Sequence, residues 1–388
     1  MLANRKEDFM ELSYYIMDPT RNITILVEGD VPADKRAEVA KELMKKEPTA
    51  EQVGFVGYVR EKTTDLGING ECVEKDAEKN VDNVKYDVRL DMAGGEFCGN
   101  ATMSAAVLFA EKFVFNGQNA DVIQAKDHDP NDMNTVEICG IKVLASGTEG
   151  VRKVCVEKLS DGRCRGTVEM PGPLSIGTRK LSFEEREYEL TVVDFGGITH
   201  VIVEVSGETT GMTVTKEPTE QRKTERQEKQ SETTESENTL ESTGVGFAAI
   251  CENPKQVVMK WCEDLHAECL GLMIYDSREK TLVPYVYVPK AGTLFRESSC
   301  ASGTTAVGAY LAGIKCPPES ACHTTGTNPA EDEYPAEGVY SARTDGKKDP
   351  AVYSISEPGG TLTVSVIPGE KYLLSGQVKI NKHSMTAV

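Results

Sequence analysis

The chain has 388 residues, 62 acidic against 43 basic side chains, and a formal net charge of -19. With no dense Lys/Arg cluster, this balance argues against a nucleic-acid or anionic-membrane partner, since both need cations that neutralise negative charge; a small-molecule ligand is expected. The length exceeds one ordinary domain of ~100 to 200 residues, so two domains are expected, with enough core to stand without disulfide support. The eleven cysteines are dispersed and include no Cys-x-x-Cys pair, which fits reduced thiols in the cytoplasm. Residues 1–18 carry Arg5, Lys6, Glu7 and Asp8 and no long apolar core, so neither a secretory signal nor a membrane span is expected there, and no apolar run elsewhere approaches ~18 residues.

In chain order, the β-branched run 23–27 predicts a strand stopped at Glu28-Gly29-Asp30. Residues 34–46, with Val39, Leu43 and Met44 among charges, predict an amphipathic surface helix. Strands are expected at 53–59 and 84–92, and a buried helix over 101–113, where charge is nearly absent. That helix begins just after Phe97-Cys98-Gly99-Asn100. The second half repeats the plan, with strands at 190–193, 200–205, 272–275 and 282–288, then a small-residue helix over 304–312 just after Ser299-Cys300-Ala301-Ser302-Gly303. Residues 207–244, rich in Thr, Glu, Ser, Gln and Lys, are expected to be a disordered insertion, because too few apolar groups offset the entropy of ordering. Residues 316–350 read as an irregular excursion. A turn at Pro358-Gly359-Gly360 leads into an alternating strand, and 377–380 form the last one.

Two cysteines, each at a helix start, suggest a specific chemistry. A helix N-terminus presents N-H groups without intrahelical acceptors and a partial positive charge, which suits a carboxylate. The same field is expected to lower a thiol's pKa enough for it to act as a base. Two such helices facing each other would hold one α-carboxylate and place a sulfur on either side of the adjacent carbon. One thiolate could then remove the Cα proton while the opposite thiol returns one. No pyridoxal-phosphate or dinucleotide fingerprint is evident, so no cofactor is expected.

The pair FCGNATMSAA and SCASGTTAVGAYLA resembles the two cysteine motifs of the diaminopimelate epimerase and proline racemase superfamily of pyridoxal-independent racemases. The similarity continues through the segment from Asp18 to Val27, through Glu51-Gln52-Val53-Gly54-Phe55, through Gly196-Gly197-Ile198-Thr199-His200 and through Pro358-Gly359-Gly360-Thr361-Leu362 to Gln377, in family order. The resemblance implies an α+β fold of two similar domains, each a β-barrel-like mixed sheet around a central helix, with the active site in the cleft between them. It places an N-terminal domain at 1–130, joined by the returning segment 376–388, and a C-terminal domain at 131–375. It makes Cys98 and Cys300 the two catalytic bases. Asn22, Glu51, Gln52, Gly99, Asn100, Ala301 and Ser302 become the substrate-binding residues, the last four through their N-H groups. No metal and no cofactor are implied; the partner is a small-molecule amino-acid substrate, and a homodimer stays open.

Departures from the family also inform the reading. Val88-Arg89-Leu90-Asp91-Met92 stands where the epimerases carry Phe-Asn-Ala-Asp-Gly, Ile198 replaces an Asn, and Pro289-Lys290-Ala291-Gly292 lies near the place of a missing Glu-Arg pair. Diaminopimelate is therefore not the expected substrate. Glu297-Ser298-Ser299-Cys300-Ala301-Ser302-Gly303-Thr304, with Glu51-Gln52, looks more like the histidine racemases of metallophore pathways. The alternatives are a diaminopimelate epimerase with an altered distal site and a non-catalytic amino-acid-binding protein. Blander readings apply elsewhere. Cys72, Cys139, Cys155, Cys164, Cys251, Cys262 and Cys269 read as inert small hydrophobes, Cys322-His323 as a surface loop, and His200 as a hydrogen-bonded structural histidine. Glu51 reads equally as a tuning group beside Cys98 or a solvated charge.

Overall fold

The computed structural model describes residues 10–59, 85–115, 136–205, 247–313, 350–367, 369 and 371–387. The insertion read at 207–244, the excursion at 316–350 apart from Pro350, and Cys72, Cys322 and His323 lie outside the described residues.

The first strands are β1 (Glu11–Pro19) and β2 (Thr24–Glu28). Helix α1 (Arg36–Lys46) crosses over to β3 (Gln52–Tyr58), which runs parallel to β2. Strand β4 (Val88–Met92) returns antiparallel and leads into α2 (Gly99–Phe113). The expected strands and helices of this stretch are all present, within a few residues of their predicted ends. Next come β5 (Val136–Ala145), β6 (Val151–Lys158) and β7 (Cys164–Met170). The last strand, β16 (Lys371–Ala387), pairs with both β7 and β1. Strands β1 to β7 with β16 thus close an eight-stranded barrel. The boundary read at 130/131 falls ahead of β5, whose pairing with β4 carries it into this barrel.

Helix α2 runs inside the barrel, with 12 of its 15 residues buried, so no face is left for charge until its last turns. Its small residues let the strands approach closely. A Cβ at Gly166 on β7 would stand 2.9 Å from Met103 Cβ, so only glycine fits there. Buried Met103, Val107 and Leu108 each contribute roughly 1.5–3 kcal/mol of burial free energy.

The second half repeats this order around another helix. Strands β8 (Ser175–Phe183), β9 (Arg186–Asp194) and β10 (Thr199–Val205) precede α3 (Ala248–Glu252) and α4 (Pro254–Asp264). Strand β11 (Leu270–Asp276) is parallel to β10, β12 (Thr281–Val288) returns antiparallel, and β13 (Thr293–Arg296) pairs with β12. Helix α5 (Ala301–Leu311) follows, then β14 (Ala351–Glu357) and β15 (Gly360–Ile367). The sheet runs β16-β15-β14-β12-β11-β10-β9-β8, so β16 serves both halves. At Gly308, a Cβ would meet Val364 Cγ1 at 2.5 Å, which is how α5 lies down on β15. One core cluster reaches from the residues of α2 to those of α5. Smaller clusters lie under α1 and under α4, the latter around the fully buried Trp261.

Two expectations about side chains are corrected. Cys139 and Cys155, read as reduced thiols, form a disulfide between β5 and β6. The register slips between Ile138 and Ile141, so a bulge containing Gly140 (φ 90°) brings Cys139 opposite Cys155. His200, read as hydrogen-bonded, is fully buried, and neither ring nitrogen has a partner among the described residues. Its strand register points the ring inward against Phe195, 5.8 Å between ring centres, and against Gly271, and burial pushes its pKa down to about 3. No helix among the described residues is long and apolar enough to cross a membrane.

Candidate active site

Both cysteines are helix N-caps. Cys98 has an extended backbone (φ -129°, ψ 113°), and its Sγ accepts the Ala101 N-H at 3.4 Å. Cys300 has nearly the same backbone (φ -125°, ψ 105°), and its Sγ accepts the Gly303 N-H at 3.4 Å. In each case the thiol occupies the place where Ser, Thr or Asp usually caps. The two first turns touch: a Cβ at Gly99 would stand 2.8 Å from Ala301 Cβ and 2.8 Å from Met170 Sδ. The N-H groups of Gly99, Asn100, Ala301 and Ser302 therefore lie in first turns that meet, where helix geometry leaves them no intrahelical acceptor.

The other sequence-predicted residues converge on the same place, largely by bonding to one another. Asn22 donates to Glu51 Oε2 at 2.5 Å, and Ser298 donates to Glu51 Oε1 at 2.7 Å. Gln52 donates to Asn22 Oδ1 and, at 2.8 Å, to Thr24 Oγ1. Asn100 donates to Asn22 Oδ1 and to the Ser299 carbonyl, both at 3.2 Å. Asn22 and Asn100 are buried, so their amides stitch the β1–β2 turn and the start of α2 to the segment before α5. Gln52 also bonds the Cys98 thiol. Ser302 Oγ lies 3.7 Å from Cys300 Sγ.

Four carboxyls, only one of them singled out from sequence, surround the thiols. Glu297 hydrogen-bonds the Cys300 thiol, acts electrostatically on Cys98, and is pushed up to about 7 by burial. Burial also raises Glu51 above the ordinary carboxylate range, and Glu96, although exposed, is raised by partial desolvation among its neighbours. Glu357, at the end of β14, accepts the Cys300 N-H at 2.7 Å through Oε2, touches Thr304 Oγ1 through Oε1, and is pushed up to about 8 by burial. Glu96 and Glu297 could have been noticed from their places two and three residues before the cysteines. Glu357 gave one signal: it continues the inward parity of Ile355 on an alternating strand.

The helix field does not win over burial. Cys98 is pushed up to about 12, because desolvation outweighs the Ala101 N-H and the Gln52 amide. Cys300 is pushed well above its ordinary value by desolvation and then by the nearby Glu297 and Glu357. The expected lowering of both thiols is thus reversed: desolvation penalises the thiolate more than one N-H and a partial dipole favour it. Among the described residues no group of three or more His, Cys, Asp and Glu is arranged to hold a metal ion.

A family model described as the histidine racemase CntK N-terminal domain matches residues 11–235 and 244–321. A histidine racemase of Fusobacterium nucleatum subsp. nucleatum is 26% identical over 306 residues, which are 78% of this chain and 82% of that protein. A histidine racemase of Staphylococcus aureus is 22% identical, over 78% of this chain and 79% of that protein. The crystal structure of a probable proline racemase from Agrobacterium radiobacter K84, with bound carbonate, superposes with a TM-score of 0.50 at 12% identity, covering 97% of this chain and 93% of that one.

Proposed function

Because this chain belongs to the histidine racemase CntK N-terminal domain family, we propose that it is an amino-acid racemase that works without pyridoxal phosphate, with histidine as substrate and Cys98 and Cys300 as its two bases. The observation that carries this reading is the pair of thiol N-caps on two helices whose first turns meet at Gly99 and Ala301. The substrate carboxylate lies between those turns, bonded by the N-H groups of Gly99, Asn100, Ala301 and Ser302. One thiolate takes the Cα proton: the Cα-H bond breaks, an S-H bond forms, and the electron pair spreads into the carboxylate as an enediolate. The two helix N-termini stabilise the charge that develops there. The opposite thiol gives its proton to the other face of Cα and becomes the thiolate of the next turnover.

The carboxyls give this reading its substrate preference. Glu51, Glu96 and Glu297 offer negative charge to an α-ammonium and to an imidazole. Those cations in turn offset the carboxylates that disfavour a thiolate, so substrate entry makes the base. For the organisation of the chain, we place the two-domain division after β7 rather than at 130/131, since β5, β6 and β7 complete the first barrel. The substrate cleft then lies between the barrel around α2 and the sheet around α5.

The test is proton exchange at Cα. Incubation with L-histidine in D2O should replace the Cα proton and yield the D-isomer, followed by NMR and chiral chromatography. Exchange with diaminopimelate alone would transfer the assignment to an epimerase. Tight binding of histidine with no exchange would leave a binding protein.

A further inference from the structure

We propose that Glu357 is a positioning residue for Cys300 that works in its protonated, neutral form: its carboxyl O-H donates to Thr304, its other oxygen holds the Cys300 N-H, and its ionisation suppresses the Cys300 thiolate. The inference rests on the racemase reading only for the role of Cys300.

Proton counting carries it. A threonine hydroxyl has one proton to give. In α2, Thr102 donates that proton to the Cys98 carbonyl at 2.7 Å. In α5, Thr304 occupies the same place in the helix and reaches the Cys300 carbonyl at 2.8 Å. Thr304 Oγ1 is also in hydrogen-bond contact with Glu357 Oε1. With the hydroxyl proton committed to the carbonyl, as in α2, the proton in the second contact comes from Glu357. Oε1 is then the O-H oxygen, and Oε2 is the carbonyl oxygen that accepts the Cys300 N-H at 2.7 Å. Every hydrogen bond of the turn is satisfied in that state, and Glu357 is only 8% exposed.

Burial supports the same state, since it pushes Glu357 up to about 8. The titratable neighbours around it are Cys300 and Glu297, and Glu297 disfavours a second negative charge. The cationic side chains on adjoining turns, Arg21 beside Gly359 and Lys280 beside Ser356, are exposed. A Glu357 carboxylate would therefore put an uncompensated charge beneath Cys300, where it raises that thiol further.

The experiment compares full-length wild type with Glu357→Gln and Glu357→Leu. Gln keeps the shape and both hydrogen bonds of the neutral acid; Leu removes them. Iodoacetamide labelling of Cys300 is followed by peptide mass spectrometry between about pH 6 and about pH 10, with Cys98 of the same molecule as reference, since reaction rate follows the thiolate fraction. Above about pH 8, Glu357→Gln should label Cys300 ~10-fold faster than wild type relative to Cys98. Its histidine turnover near neutral pH should stay within ~3-fold of wild type and lose the wild-type decline on the alkaline side. In Glu357→Leu, kcat should fall ~10-fold or more at every pH with KM little changed, while circular dichroism remains that of the folded protein. The proposal is overturned if Gln is as impaired as Leu, or if Cys300 labelling in Gln follows the wild-type pH profile. Labelling reads Cys300 without substrate, so absence of racemisation would sink the proposed function and leave this test standing.

Discussion

At the start of α2, Cys98 accepts the Ala101 N-H and a bond from the Gln52 amide; at the start of α5, Cys300 accepts the Gly303 N-H but faces Glu297 and Glu357. The two backbones differ by only a few degrees at the capping residue. Local structure is thus repeated, whereas the electrostatic field is not. Burial raises both thiols, and two carboxyls add to that cost at each, Glu297 and Glu96 at Cys98 and Glu297 and Glu357 at Cys300; the difference is that the Gln52 amide softens it at Cys98, whereas Glu297 bonds the Cys300 thiol directly. The thiolate should therefore form first at Cys98, and Cys300 should be the proton donor of the resting enzyme.

The strongest way to break this comparison is to remove either sulfur. Cys98→Ala and Cys300→Ala should each lower racemisation by ~10³-fold or more, since each removes a proton-transfer partner outright. Near-normal turnover in either variant, measured by loss of the Cα proton signal in D2O, would end the two-base assignment. Next in size is Gly99→Ala. Its methyl group must displace Ala301 or Met170, so the helix starts separate, and kcat should drop ~10²-fold for a shift of ~1 Å. A kcat within experimental error of wild type would show that contact between the two turns is not needed.

Smaller effects should sharpen the asymmetry between the thiols. Gln52→Leu deletes the donor to Cys98 and should slow iodoacetamide labelling of Cys98 several-fold; Glu297→Gln should accelerate labelling of Cys300 by about as much, one pKa unit being about tenfold in thiolate. Because Glu297 also acts on Cys98, that thiol should respond to Glu297→Gln in the same direction but less; a Cys98 response as large as that of Cys300, or a Cys300 response to Gln52→Leu as large as that of Cys98, would contradict separate fields.

The smallest effects are on stability and have opposite signs on the two sides of neutrality. Glu297 and Glu357 hold protons in the folded protein up to about 7 and about 8 that the unfolded chain releases near its ordinary carboxylate value. Stability is therefore lost as pH rises through that window. His200, pushed down to about 3, refuses a proton that the unfolded chain takes up below about 6.5, so stability is lost as pH falls below that point. In thermal melts, Glu357→Gln should gain on wild type as pH climbs from about 5 to about 8, and His200→Leu should gain as pH falls from about 6.5 to about 4. Parallel melting curves at all pH values would rule out both groups as the source.

Much of the scaffold was legible because it is written in local pattern. The β-branched run that became β2, the amphipathic α1, and the nearly charge-free stretches that became α2 and α5 each announce their environment through spacing. Helix α4 was not foreseen: its buried Val257, Val258, Trp261 and Cys262 are interleaved with charges in only 11 residues, too short a window for the period to stand out. The bulge that joins Cys139 to Cys155 was equally invisible, because it depends on the register between two strands.

For the site, the sequence by itself pointed to the two thiols and their small-residue first turns, because each lies in one short motif whose chemistry follows from residue type, whereas Asn22, Glu51, Gln52 and Asn100 entered only through the family resemblance. Tertiary structure alone decided that Glu357, 57 residues beyond Cys300, sits beneath it, and that Glu297 reaches both cysteines. It also decided that the thiols are raised rather than lowered. Desolvation depends on everything packed around a group, and no local stretch of sequence encodes that sum.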